Sequence, residues 1–133
     1  MLVHPVPTKI PLTMALLQGV AIGAAAPAGA HHSWSGEYDV RQSAFVSGTV
    51  ARVLIRNPHS ALILDVRGAD GRTERWTVEW ASPQRLRDRG VTQRTIRVGE
   101  SVSVSGNPHR DANARFLRAL SVRRADGTEI GGN

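Results

Sequence analysis

From Ser43 onward the chain consists of short runs rich in Val, Ile and Thr, separated by Gly, Asp, Asn and Pro turn signals, with one short helical run after the third. Three strands, a helix and two further strands, with a glycine inside a long first strand, is the order of a small five-stranded OB-like (oligonucleotide/oligosaccharide-binding) barrel. The sequence therefore predicts an all-β fold with one short helix between strands 3 and 4. Closure suits a domain this small, because it hides strand edges that an open sheet leaves free to pair with other chains. The same periodicity allows a small open β-sandwich, which is the competing architecture.

Each element has a local signal. Ala44 to Arg56 forms the first strand, with Gly48 placed where a bend or bulge costs least, and Asn57 and Pro58 stop it. His59 to Arg67 is the second, carrying Leu62, Leu64 and Val66 on one face and His59, Ala61, Ile63 and Asp65 on the other. Gly68 to Gly71 contains an Asp-Gly pair, which supplies the positive φ of a hairpin turn. Arg72 to Trp80 is the third strand, with Trp76, Val78 and Trp80 alternating against Thr73, Arg75, Thr77 and Glu79. Ser82 is an N-cap, Pro83 presets a first turn and Gly90 is a stop, so Pro83 to Arg89 reads as a helix. Thr95 to Val98, a turn at Gly99 and Glu100, and a strand from Ser101 to Ser105 follow. A loop from Gly106 to Ala114, a last strand from Arg115 to Arg124 and a short tail complete the chain. The predicted core is Trp76 and Val78 with Leu62, Leu64, Val102, Val104, Leu120 and Val122, while Arg75 and Thr77 face outward.

Of 133 residues, 41% are hydrophobic and 21% charged, a balance too apolar for disorder and too interrupted for several membrane spans. Cysteine is absent, which excludes disulfides, thiolate metal sites and a Cys nucleophile. The formal charge is +6, and every basic residue except Lys9 is an arginine, the cation suited to paired, hydrogen-bonded contacts. After Lys9, Ile10 to Ala26 is uncharged but broken by Pro11, Gln18 and two glycines. It leads into Ala28, Gly29 and Ala30, small residues that suit signal peptidase. Residues 1–30 therefore read as a signal peptide, and 31–133 as one domain that begins with a flexible arm over about 31–43. Sixteen arginines against eleven acids leave +5 on the exported part. Export without cysteine points to a bacterial periplasm and argues against nucleic acid as a partner.

Cleavage after Ala30 would make His31 the first residue, so that its free amine and imidazole could close a chelate ring on a metal ion. His32 stands beside it, and His59, at the mouth of the second strand, offers the further imidazole of a histidine brace. Imidazole and amine nitrogen favour copper by ligand softness and by the divalent affinity order. The simpler alternative makes His31 and His32 the polar start of an arm, with His59 and His109 as turn residues bonding their own backbone. Trp76 and Trp80 could present a surface to a sugar or peptide, although same-face aromatics in a small barrel also fill its core. Arg85, Arg87, Arg89, Arg94 and Arg97 could meet an acidic partner or anionic lipid, or form a solvated face. No Ser-His-acid elbow, phosphate loop or close carboxylate pair occurs, so catalysis is expected only if a bound metal supplies it.

Ala30, His31, His32, Ser33 and Trp34, then Glu37, Tyr38 and Asp39, Gly48, Thr49 and Val50, and Asn57, Pro58 and His59 form a recognisable set. Trp76, Val78, Glu79, Ser82, Pro83, Gly90 and Gly99 extend it. With these residues the chain resembles an uncharacterised family of small exported bacterial proteins, a domain of unknown function in which Phe is the commoner residue at the place of Trp34. The triplet Asn107 to His109 is outside the family pattern. The resemblance implies a periplasmic β-domain and draws attention to His31, His32 and His59, which lie in its defining motifs. Two functions follow as expectations: a small periplasmic binding protein that holds or delivers a copper-type ion through His31, His32 and His59, or a metal-independent partner-binding module of the cell envelope. A copper oxidase using the same histidines, with Trp34 as a substrate surface, is a third.

Overall fold

The computed structural model describes residues 34–131. It contains α1 (Trp34–Glu37), β1 (Ala44–Leu54), β2 (Ala61–Arg67), β3 (Thr73–Glu79), α2 (Pro83–Asp88), β4 (Ser101–Pro108) and β5 (Phe116–Arg124). The five strands close into a barrel in the order β1-β2-β3-β5-β4, with β4 returning to β1. All pairings are antiparallel except β3 with β5, where Val78 lies opposite Leu117 in a short parallel ladder. This is the predicted OB-like barrel with its helix between strands 3 and 4.

Two bulges set which side chains face inward. In β1, Val50 opposes Leu64 and Arg52 opposes Ile63, so Ala51 is the extra residue. The alternation shifts there: Val46 and Val50 are buried above the bulge, and Val53 packs against the core below it. Gly48, the position expected to bend, has a different role. A Cβ there would lie 2.6 Å from the Asp65 carbonyl oxygen, so glycine permits the β2 backbone to come close. In β5 the extra residue is Leu120, since Ser105 opposes Ser121 while Gly106 opposes Ala119. Leu117 and Val122, five positions apart, therefore both point inward and are fully buried, whereas Leu120 is 56% exposed. The expectation that Leu120 belongs to the core is corrected: strict alternation from Val122 passes through Leu120, and the bulge breaks it.

Val78, Leu62, Leu64, Val102, Val104 and Val122 occupy the core as expected. Trp76 is only half-buried, packed against the core with the Arg115 guanidinium 5.7 Å from its ring centroid, and Trp80 is the fully packed indole of β3's end. α2 packs its fully buried Leu86 into the core. Ser82 is extended and its Oγ accepts the Arg85 N–H at 3.4 Å, Pro83 begins the helix, and Gly90 (φ 73°) ends it. The Val91 N–H donates to the Leu86 carbonyl and the Gly90 N–H to that of Arg87, the paired bonds of a Schellman stop. Leu86 and Val91 are both buried, which adds the apolar contact that accompanies that motif. The tail is not loose either: the Ile130 N–H donates to Val122 and its side chain is 5% exposed.

The expectation of a flexible arm is corrected for its described part, 34–43. Tyr38 is 1% exposed and bridges to His109, the Asp39 N–H donates to Pro108, and the Arg110 N–H donates to Glu37. The arm needs this docking partner, and β4 supplies it by running through Asn107 and Pro108 instead of ending at Ser105.

Candidate functional site

A cleft of about 360 Å³ opens between the segment before β2, the start of α2 and the middle of β5. Its organising feature is the Trp34 ring, which contacts both His59 and Arg118. The Trp34 ring lies 4.1 Å from that of His59 at an interplanar angle of 30°, and the Arg118 guanidinium sits 4.8 Å from the Trp34 centroid. His59 is placed by the residue after it, since the Ser60 N–H donates to the Ala81 carbonyl at 3.0 Å while the Ser60 carbonyl accepts from Trp80 at 2.7 Å. β2 itself begins only at Ala61, so His59 stands before the strand mouth and half-exposed.

Arg118 is held from behind. Asn107, 4% exposed, accepts from Arg118 Nη1 at 3.3 Å through its Oδ1 and donates from Nδ2 to the Gln42 carbonyl at 2.8 Å. One buried amide thus links the arm, β4 and the cleft arginine. Arg85 on α2 and Arg89 at its C-cap also line the cleft. Among the described residues no Asp or Glu lines the cleft. The five arginines grouped by sequence are thereby divided: Arg85 and Arg89 face this cleft, Arg87 donates to Gln84 at 2.7 Å, and Arg94 and Arg97 line a second hollow with Arg52.

Of the histidines expected to hold a metal, His59 is in this cleft, while His31 and His32 lie outside the described residues. Among the described residues no three His, Asp or Glu side chains group as metal ligands. His109 is elsewhere, with its Nδ1 accepting the Asp111 N–H at 3.0 Å and its ring edge-on to Tyr38, which matches the turn-residue alternative. The roles of Arg118 and Asn107 were not legible in the sequence, because Arg118 is one of sixteen arginines and the Asn107 triplet read as a loop.

Tyr38, with its ring centroid 5.7 Å from that of Trp34, is also buried at this end. Burial pushes its phenol well above the usual range, and the charge and hydrogen bond of Glu79, with the charge of Glu37, act in the same direction.

The closed barrel with parallel β3–β5 pairing defines an OB-type domain carrying a cationic, aromatic-floored cleft. The chain belongs to a family of unknown function, DUF6152, whose model matches residues 20–118. No curated protein matches it. Among solved structures it is similar to the mitochondrial single-stranded DNA-binding protein Rim1 of S. cerevisiae, at 13% identity and a TM-score of 0.41, over 66% of this chain and 79% of that one. The expectation that nucleic acid is no partner is withdrawn, because a cleft lined by arginines and aromatic rings does not exclude it; the neighbour itself is a single-stranded DNA-binding protein. Among the described residues no helix is long and apolar enough to cross a membrane.

Proposed function

We propose that this chain is an exported, periplasmic binding protein that holds or delivers a copper-type ion through His59 together with His31 and His32. The observation that supports this reading is the Trp34–His59 stack. Trp34 is anchored on the ring of His59, and the three residues from His31 to Trp34 span at most about 10 Å of chain. Cleavage after Ala30 would therefore free an amine and an imidazole within chain reach of a half-exposed third imidazole. Nitrogen ligands of this kind suit Cu(II).

The experiment begins with the intact mass of the secreted protein, which identifies its first residue. Cu(II) is then titrated into protein starting at His31 while the d–d absorption is followed. The expected result is saturation at one equivalent, with weaker binding in His59→Ala and in a version extended by an N-terminal methionine. Equal affinity in all three proteins would overturn the site, and absence of binding would leave a metal-independent binding module.

A further inference from the structure

Independently of any metal, we propose that the cleft floored by Trp34 and His59 is a binding site for a small, multiply charged oxyanion, its carboxylate or phosphate groups held by Arg85, Arg89 and Arg118. Three features carry the inference.

The first is unbalanced charge. Arg41, Arg72, Arg75, Arg115, Arg123 and Arg124 are each paired with a carboxylate, on Asp39, Asp70, Asp65, Glu74, Glu129 and Glu100 respectively. Among the described residues the other ten arginines have no such partner, and three of those, Arg85, Arg89 and Arg118, converge on this one cleft, which no acid lines. Arg85 in α2 and Arg89 at its C-cap stand four residues apart, so two like charges enter one cleft without a compensating acid.

The second is preorganisation. The Arg118 guanidinium sits over the Trp34 ring and is held by buried Asn107, so its planar fork is presented with little conformational freedom left to lose on binding. A merely solvated arginine would have no need of a buried amide behind it. The third is size: about 360 Å³ is at the small end of ligand cavities, enough for a compact polyanion and too little for a large cofactor. Guanidinium forks match carboxylate and phosphate geometry alike, so the shared chemistry is an oxyanion with two or more charges.

Trp34 and Trp80 both line the cleft, so tryptophan fluorescence reads its occupancy. Protein stripped of metal on a chelating resin is titrated separately with citrate and with pyrophosphate at constant ionic strength. Saturation by citrate alone assigns a carboxylate ligand, saturation by pyrophosphate alone a phosphate ligand, and saturation by both the common oxyanion. In each case the Kd should rise at least about tenfold in Arg85→Gln/Arg89→Gln and in Arg118→Gln, the scale of losing charge-assisted hydrogen bonds. The Arg85/Arg89 pair is exposed, so that variant keeps its fold even if the Arg118 variant does not. Arg72→Gln, on the β2–β3 hairpin, should leave the Kd unchanged. Saturation by neither probe, or an unchanged Kd in Arg85→Gln/Arg89→Gln, overturns the proposal. Because no metal is present, that failure is distinct from failure of the copper reading.

Discussion

Tyr38 is the chain's single tyrosine, which makes its ionisation directly readable. Its pKa is raised above the ordinary 10.0 by burial first and by Glu79 and Glu37 second. A raised pKa means that the neutral phenol's contribution is complete below pH 10 and is lost only as the pH climbs through the folded value. Absorbance at 295 nm should therefore show no tyrosinate in folded protein at pH 10.5, and should rise together with loss of the far-UV signal at higher pH. Tyrosinate forming near pH 10 in folded protein would mean that the arm does not cover Tyr38. The sequence marked this residue only as part of a family motif, since a lone Tyr after a Gly-Glu pair carries no periodicity. Its burial follows from docking onto β4, a contact between segments some seventy positions apart.

At the scale of elements, α2 was fully legible, because Ser82, Pro83 and Gly90 act on their own neighbours through caps and φ angles. The strands were legible in number and order but not in register, because a bulge leaves no mark in local composition. Leu117 and Leu120 test the β5 bulge directly. Leu117→Ala should cost about 2–5 kcal/mol in denaturant unfolding, as removal of a fully buried leucine does, whereas Leu120→Ser should stay within about 0.5 kcal/mol. Similar losses from both would place Leu120 inside and remove the bulge. The same reasoning separates the two indoles of β3's face: Trp80→Ala should lose about 3–5 kcal/mol, and half-buried Trp76→Ala distinctly less. Gly106 supports the bulge from the other strand, since a Cβ there would fall on the Arg118 carbonyl oxygen. Gly106→Ala should therefore destabilise by about 1–3 kcal/mol and disturb Arg118 in the cleft as well.

Across the whole molecule, charge is arranged as local pairs on a basic background. Backbone donation from Arg41 holds the Asp39 carboxyl below its ordinary 3.8, the Arg115 fork holds Glu74 below 4.5, and the Thr128 N–H holds Asp126 below 3.8. Depressed carboxyl values stabilise the fold above the ordinary pKa and are lost as the pH falls through the folded ones. Protonation also leaves sixteen arginines with fewer counter-charges, which adds self-repulsion in the same direction. The Tm should be flat from pH 7 to about 5 and fall steadily from about 4.5 to 3. A Tm at pH 3 equal to that at pH 6 would contradict this arrangement.

Local chemistry in the sequence determined what depends on near neighbours: five strands, their turns, one capped helix and most of the core, because pleat alternation, caps and turn angles act within a few residues. It also singled out His59 and Trp34, which lie in motifs. Only the tertiary structure decided that these two rings stack, that Asn107 steadies Arg118 over them, and that Arg85 and Arg89 face the same cleft. Barrel closure brings together β5, α2 and the arm, segments distant in the chain, and where such segments meet is set by strand register and two single-residue bulges that local composition does not encode.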